Sequence, residues 1–558
     1  MNYQPSIKII IVALIFNFSF LISNFSAAQT TFFHRYIIQF TDKGNSPYSL
    51  EFPQQYLSQR AIDRRSNQNL SLDSLDLPVN PVYIDSVAST GVLIFFSSKW
   101  LNCVAIFTND SLALQTINNF SFVKGVKIVG KNLLNENHVA QYNSSNEKIS
   151  CDDDTYYGFA YDQINQVRAN YLHNEGYKGE GMIIAYLDAG FNNVDVLPVF
   201  APLRNRNGIL YTHDFVLGND SVYEDAPHGA MCLSIVAGNM PGYYVGTAPE
   251  ADFILLRTEE GAAENPIEEI NWAAGAESAD SMGADVITSS LGYSVFDTSV
   301  FNHTFQDMNG KTNPSSIAAH IASTRGMIVC NSAGNSGDDQ SWRFITAPGD
   351  ADGILTVGAI DSANNYAIFS GHGPTFDGRT KPDVVARGAN TWVINSGTNG
   401  VMEGNGTSFS CPLIAGCVAC LWQAHPEKNN LEIMDAVRLS ASKYYTPDNN
   451  IGYGIPNFAY ADLLLGGFNE SSLLSADSVF VYPTIFSDDI KINIKSKDLQ
   501  QLTIKLFDLS GRLVSEDCTN VFSGFNSISI HPQNISGGIY FLKISSGEKC
   551  WFEKIVKQ

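Results

Sequence analysis

Four short segments carry residue types that could cooperate in acyl transfer. Ile183-Ile184-Ala185-Tyr186-Leu187-Asp188-Ala189-Gly190 is a buried strand pattern ending in a carboxylate. A carboxylate there can orient an imidazole and favour its charged form. His228-Gly229-Ala230-Met231-Cys232-Leu233-Ser234 places a histidine at the start of an apolar helix, and the small residues after it permit close packing. Val329-Cys330-Asn331-Ser332-Ala333-Gly334-Asn335 runs from a strand into a loop of small residues that exposes the amide of Asn335, a donor for an oxyanion. Gly404-Asn405-Gly406-Thr407-Ser408-Phe409-Ser410-Cys411-Pro412 delivers Ser408 to the first turn of a helix. Unclaimed N–H groups and the positive helix end favour negative charge there. Taken singly, each has an ordinary structural reading. Strand-end Asp residues cap or bind metals, helix-start His residues hydrogen-bond locally, Ser and Thr are common N-caps, and Asn is common in turns.

Taken together, in the order Asp, His, Asn, Ser, the segments resemble the subtilisin-like serine peptidases (subtilases). Gly246-Thr247-Ala248-Pro249, Ser289-Ser290-Leu291-Gly292, Lys381-Pro382-Asp383-Val384 and Gly452-Tyr453-Gly454-Ile455-Pro456 extend the resemblance to about 300 residues. It implies Asp188, His228 and Ser408 as a triad, Asn335 as oxyanion donor, and Ser290, Leu291 and Gly292 as substrate-binding residues. Ala189, Ala230 and Phe409-Ser410-Cys411 depart from the family's commoner residues without removing a catalytic group. Cys411, three residues past Ser408, is expected near the site but not as nucleophile. The implied function is a secreted serine endopeptidase acting on protein or peptide substrates. The rival expectation is a catalytically idle subtilase fold serving as an adhesin or binding module. The chemistry requires no cofactor. Family members often bind structural calcium, so a calcium site is compatible with the resemblance, but its ligands are unassigned. The acidic runs Asp152-Asp153-Asp154 and Asp338-Asp339 read as solvated.

The elements that must position these residues form the largest block, 156–466. Apolar runs at Met182–Leu187, Phe253–Leu256, Val286–Thr288, Met327–Cys330 and Ile354–Val357 alternate with helical patterns such as Ile267–Met282, Ile317–Thr324 and Ser410–Gln423. That alternation predicts an α/β fold with a parallel sheet covered on both faces, and chemistry at the carboxyl ends of its strands. The expected fold class is therefore a subtilisin-like three-layer α/β domain, preceded by a small α+β domain and followed by a β-sandwich.

Residues 29–150 supply the α+β pattern, with strands near Tyr36–Phe40 and Val123–Val129 and helices near Tyr56–Arg65 and Ser111–Asn118. The block loosely resembles a subtilase prodomain, with a permanently attached accessory domain as the other reading. The basic face from Arg60 to Arg65 reads as solvated, with a docking surface as the other reading. Asn135–Asp154 reads as a linker. Residues 476–558 alternate short strands with turns such as Ser510-Gly511 and Ser536-Gly537-Gly538. Val481-Tyr482-Pro483-Thr484, Phe507-Asp508-Leu509-Ser510-Gly511-Arg512 and Gly538-Ile539-Tyr540-Phe541-Leu542-Lys543 resemble the sorting domains of type IX secretion cargo, which implies that secretion machinery as a partner.

At the N-terminus, Lys8, the apolar run Ile9–Leu21 and Ser26-Ala27-Ala28 read as a signal peptide over 1–28. No other stretch reaches membrane-spanning length by this reading. The expected destination is the medium or the cell surface by way of the periplasm. Of 558 residues, 34 are Lys or Arg and 56 are Asp or Glu, giving a net charge of −22 that argues against nucleic acid as a partner. The apolar share of 44% supports a sizeable core. Nine scattered cysteines do not make a disulfide framework, and Cys417-Val418-Ala419-Cys420, although a C-x-x-C string, lies in an apolar helical run and reads as core thiols.

Overall fold

The computed structural model describes residues 32–133, 156–466 apart from 225 and 262, and 479–557 apart from 483, 484, 487, 488, 497, 533, 534 and 548. The signal peptide at 1–28, the linker and Asp152–Asp154 lie outside the described residues. The chain divides into two compact units at Leu465/Gly466.

The first unit opens with β1 (Phe32–Phe40), α1 (Gln59–Asn67), β2 (Leu93–Ser98), β3 (Cys103–Thr108) and β4 (Val123–Leu133). These strands form an antiparallel sheet in the order β2-β3-β1-β4. Ser58 caps α1 by accepting from Ala61 N.

Next come β5 (Ile183–Asp188), β6 (Ile209–Asp214), α2 (His228–Ala237), β7 (Asp252–Arg257), α3 (Ile267–Met282), β8 (Val286–Ser289), α4 (Pro314–Thr324), β9 (Ile328–Ser332), β10 (Leu355–Ile360), β11 (Val384–Arg387) and α5 (Thr407–Ala424). The seven strands make a sheet in the order β11-β10-β9-β8-β5-β7-β6, with every pairing parallel. Strand periodicity divides the side chains between two cores. Ile184 and Tyr186 of β5 and Phe253 and Leu255 of β7 pack with α2 and α5. Ile183, Ala185, Leu187, Ile254 and Leu256 pack with α3 and α4 on the other face. Covered on both faces, the central strands lose the polar alternation of a half-exposed sheet.

α5 is apolar around nearly its whole circumference because it is enclosed by α2, the sheet and neighbouring helices. It is long and apolar enough to cross a membrane, contrary to the sequence expectation that no second stretch would be, yet it is buried inside the domain. Midway along it, Gly416 has no Cβ for a structural reason: one placed there would lie 2.0 Å from Thr247 Oγ1.

The basic helix α1 is not solvated. Arg64 and Arg65 are buried, and both bind the enclosed carboxylate of Asp280 on α3, at 2.5 and 2.8 Å. Lys99, following β2, joins them at 3.0 Å. Arg60 reaches Asp285 and the Gly283 carbonyl, so this helix caps the carboxyl end of α3.

The second unit contains a three-stranded sheet (Val479–Tyr482, Ile490–Ser496, Gly524–Ile530) and a five-stranded sheet ordered Ile485–Phe486, Lys549–Lys557, Gly538–Ser546, Gln500–Asp508, Leu513–Val521. Side chains from both sheets, including Ile490, Ile492, Leu502, Ile504 and Leu542, share one core.

Candidate active site

Asp188 closes β5, His228 opens α2, Asn335 follows β9, and Ser408 lies in the first turn of α5. All four are at the carboxyl end of the parallel sheet, where strand ends and helix starts meet. Asp188 is fully enclosed, and its Oδ1 accepts from His228 Nδ1 at 2.7 Å and from Ala189 N at 2.7 Å. Its Oδ2 has no hydrogen-bond partner among the described residues. Gly229 permits this approach: a Cβ there would meet the Gly190 carbonyl at 2.4 Å and the Asp188 Cβ at 3.0 Å. Burial pulls the His228 pKa down, but the charge of Asp188, aided by their hydrogen bond, wins and raises it well above the ordinary imidazole value.

The Ser408 hydroxyl donates to the Ser290 carbonyl at 3.4 Å, and no hydrogen bond joins it to His228 among the described residues. Cys232, one helical turn below His228, connects the two sides. Its Sγ lies 3.9 Å from both ring nitrogens of His228 and donates to the Ser408 carbonyl at 3.3 Å. That carbonyl is free because Pro412, four residues on, has no N–H to donate. Ser290 Oγ supplies a second donor at 2.9 Å. The proline thus turns a lost helical bond into two tertiary ties that fix the backbone of Ser408.

Asn335 is held by its oxygen. Oδ1 accepts from Thr407 N at 2.8 Å and Thr407 Oγ1 at 2.9 Å, which leaves the NH₂ group to face the loop before α5. A Cβ placed on Gly406 would lie 3.6 Å from both Asn335 Nδ2 and Ser408 N. Two N–H donors therefore flank one small space, kept open by a glycine whose φ is +153°. Such a space could hold an oxygen carrying negative charge.

The structure therefore brings Asp188, His228, Asn335 and Ser408 together. Ser290, Leu291 and Gly292 leave β8 beside them. The Leu291 carbonyl is occupied by Asn331 Nδ2 and Ser332 Oγ, at 3.2 and 3.1 Å. Cys411 faces the sheet, 3.6 Å from the Ser289 carbonyl, and burial raises its thiol pKa to about 12. Cys417 and Cys420 are buried and free, and no disulfide occurs among the described residues. Sequence reasoning missed the roles of Cys232, Thr407 and Pro412. Only the i+4 spacings from His228 to Cys232 and from Ser408 to Pro412 signalled them. Among the described residues, Asp188, His228 and Cys232 are the one set of three metal-capable side chains with ligand atoms mutually within 4.8 Å. A thiol and an imidazole in that set do not suit calcium, which takes oxygen ligands.

The subtilase family model matches residues 179–454, which contain all four of these groups. Residues 179–454 are a subtilase domain. A Bacteroidota peptidase S8 propeptide model matches 35–147, and a secretion system C-terminal sorting domain matches 480–558. Serine protease AprX of Bacillus subtilis (strain 168) is 30% identical over 304 residues, 50% of this chain and 64% of AprX. Subtilisin of Bacillus pumilus is 28% identical over 293 residues, 50% of this chain and 93% of that protein. Among solved structures, MycP1 from Mycobacterium smegmatis aligns with 55% of this chain and 87% of its own at 23% identity and a TM-score of 0.43, too low to bear on the assignment. Within the subtilase domain the structure has the covered parallel sheet expected from the sequence.

Proposed function

We propose that this chain is a secreted serine endopeptidase in which Ser408 is the nucleophile, His228 the general base and acid, Asp188 the orienting carboxylate, and Asn335 with the Ser408 N–H the oxyanion donors. The observation that carries the reading is the enclosed Asp188–His228 hydrogen bond at 2.7 Å, set beside a helix-start serine and a paired-donor cradle. Rotation about χ1 of Ser408 exchanges its bond to Ser290 for one to His228 Nε2. The hydroxyl proton then passes to that nitrogen as Oγ bonds to the scissile carbonyl carbon. Negative charge on the carbonyl oxygen is held by the two N–H groups. Collapse breaks the C–N bond, and His228 returns its proton to the departing amine. Water repeats the sequence on the acyl-enzyme, releasing the acid and regenerating Ser408. Asp188 holds Nδ1–H and stabilises the imidazolium.

In this reading the 35–147 domain is a prodomain bound to the subtilase domain until it is cleaved, and the 480–558 domain directs type IX export to the medium or surface. The idle-fold alternative, an adhesin, draws on the Ser408 hydroxyl being bonded to Ser290. A fluorophosphonate probe separates the two. Labelling of the wild type and its loss in Ser408→Ala, together with casein cleavage by the wild type alone, is the expected result. An unlabelled, inactive wild type, secreted and processed, overturns the peptidase reading. Retention in the periplasm of a fluorescent cargo fused to 476–558, in a competent host, overturns the sorting reading.

A further inference from the structure

The loops that leave the strands at the carboxyl end of the sheet, around Ser408, carry charge of one sign. The stretches 189–198, 215–224, 258–267, 290–299, 333–342, 361–370 and 388–397 follow β5, β6, β7, β8, β9, β10 and β11. None contains Lys or Arg, and all but the last contain Asp or Glu. Asp195, Glu224, Asp297 and Asp338 are exposed. Glu224 is four residues from His228 and Asp338 three from Asn335, separations that an extended chain covers in no more than about 14 Å. Thr258 N donates to the Asp188 carbonyl at 3.0 Å, which ties the loop of Glu260 to the same site.

Among the described residues, one Lys or Arg lies within ion-pairing distance of an acid in these stretches, and it comes from the N-terminal domain. Arg35 of β1 places Nη1 3.6 Å from Glu260 Oε2. Arg35 is 2% exposed and lies over the Phe107 ring, 5.4 Å from its centre. Its Nε and Nη2, and Glu260 Oε2, have no hydrogen-bond partner among the described residues. Enclosing a guanidinium with so few bonds is costly, and attraction to nearby carboxylates has to offset that cost. Burial lowers the Arg35 pKa, and the charges of Glu260 and Glu268 oppose the fall. The N-terminal domain thus brings to this rim the kind of charge that the loops themselves omit.

We infer that the rim around Ser408 is an interaction surface for cationic peptides and proteins, and that basic substrates are cleaved in preference to acidic ones. This inference rests on the peptidase reading and names the substrate class of the same site. A cleft bordered by charge of one sign concentrates ligands of the other, raising association by about 10- to 10³-fold at low salt. The attraction reaches about 10 Å at 0.1 M salt and about 3 Å at 1 M, so it fades as salt rises, whereas an ion pair enclosed in a fitted pocket is screened much less.

The test uses the secreted, processed protein and three peptides that share one central cleavable sequence and carry Lys-Lys, Ser-Ser or Glu-Glu at both ends. At about 20 mM salt, kcat/KM is expected to rank them Lys, Ser, Glu, with at least about tenfold between the extremes. At about 1 M salt the Lys/Glu ratio should fall below about twofold. Glu224→Lys combined with Asp338→Lys should cut the low-salt ratio at least about fivefold. Glu180→Lys combined with Asp352→Lys makes the same change in net charge at exposed positions just before β5 and β10, at the amino end of the sheet, and should leave the ratio within about twofold of wild type. The wild-type salt series decides the matter where a variant fails to fold. A labelled wild type whose low-salt ratio is below about twofold, or whose ratio survives 1 M salt, overturns the inference and leaves the peptidase reading standing, as does an equal effect of the two double variants. A wild type that takes no fluorophosphonate label brings down both.

Discussion

Replacing Asp280 by asparagine should loosen the N-terminal domain from the subtilase domain. The carboxylate is wholly enclosed and accepts from Arg64, Arg65 and Lys99 at 2.5 to 3.0 Å. Asp76 shares Arg65, at 2.7 Å, and binds Arg325, at 3.1 Å. Glu277 accepts from Ser98 Oγ, Lys99 N and Trp100 N. An amide at 280 keeps the volume and removes the charge, stranding buried cations. Breaking a buried pair in this way costs about 3–5 kcal/mol. The asparagine oxygen still accepts, so the lower figure applies, near 10² in the opening equilibrium at about 1.4 kcal/mol per tenfold. Amide hydrogen exchange on the intact Ser408→Ala protein measures it directly. Protection of α1 and the Ser98–Trp100 segment should fall about 100-fold at neutral pH. Adding Arg65→Met should restore part of it by removing one stranded charge. A loss below about threefold would refute the argument that this carboxylate clamps the interface. Burial alone would raise the Asp280 pKa, but the three cations hold it far below the usual carboxylate range. Its contribution is therefore present above the unfolded value of about 4 and is lost as pH falls below that towards the depressed folded value.

Four further outcomes follow from the site and its supports. Asp188→Asn should lower kcat on the order of 10³–10⁴, because the imidazole loses its orienting carboxylate. The wild-type kcat/KM should rise with pH as His228 becomes neutral, and removal of the charge that raises its pKa should move this limb to lower pH; an unmoved limb argues against the pair. Ser290→Ala leaves the Ser408 carbonyl with only the Cys232 thiol, since Pro412 cannot donate, and should lower kcat about tenfold, the worth of roughly one hydrogen bond; unchanged turnover means that this tie does not position Ser408. Gly416→Ala drives a methyl group onto Thr247 Oγ1 and should destabilise the Ser408→Ala protein by about 1–3 kcal/mol, read from the urea midpoint; Thr247→Ala in the same chain should recover part of the loss.

The sequence by itself determined the kind of fold and the candidates for chemistry. The central strands β5, β7, β8, β9 and β10 were legible because strands covered on both faces must be apolar at nearly every position. The two outer strands were not read as strands. β6 keeps Leu210 exposed and mixes in Thr212 and His213, and β11 is a four-residue run after Pro382 and Asp383. β6, an edge strand buried on fewer sides, carries a weaker pattern, whereas β11 is buried throughout but too short to show a period. Asp188, His228, Asn335 and Ser408 stood out through local strings, since each needs a glycine or small residue beside it for its own backbone geometry. Tertiary structure alone decided which residues serve them. Whether Arg64 and Arg65 meet water or Asp280, more than 200 positions away, depends on how two domains pack. Whether Thr346 packs against Gly292 and Gly334 depends on a pairing between distant loops. A local string constrains its own φ and ψ, whereas burial, charge partners and pocket depth are set by chain segments that meet only when the sheet closes.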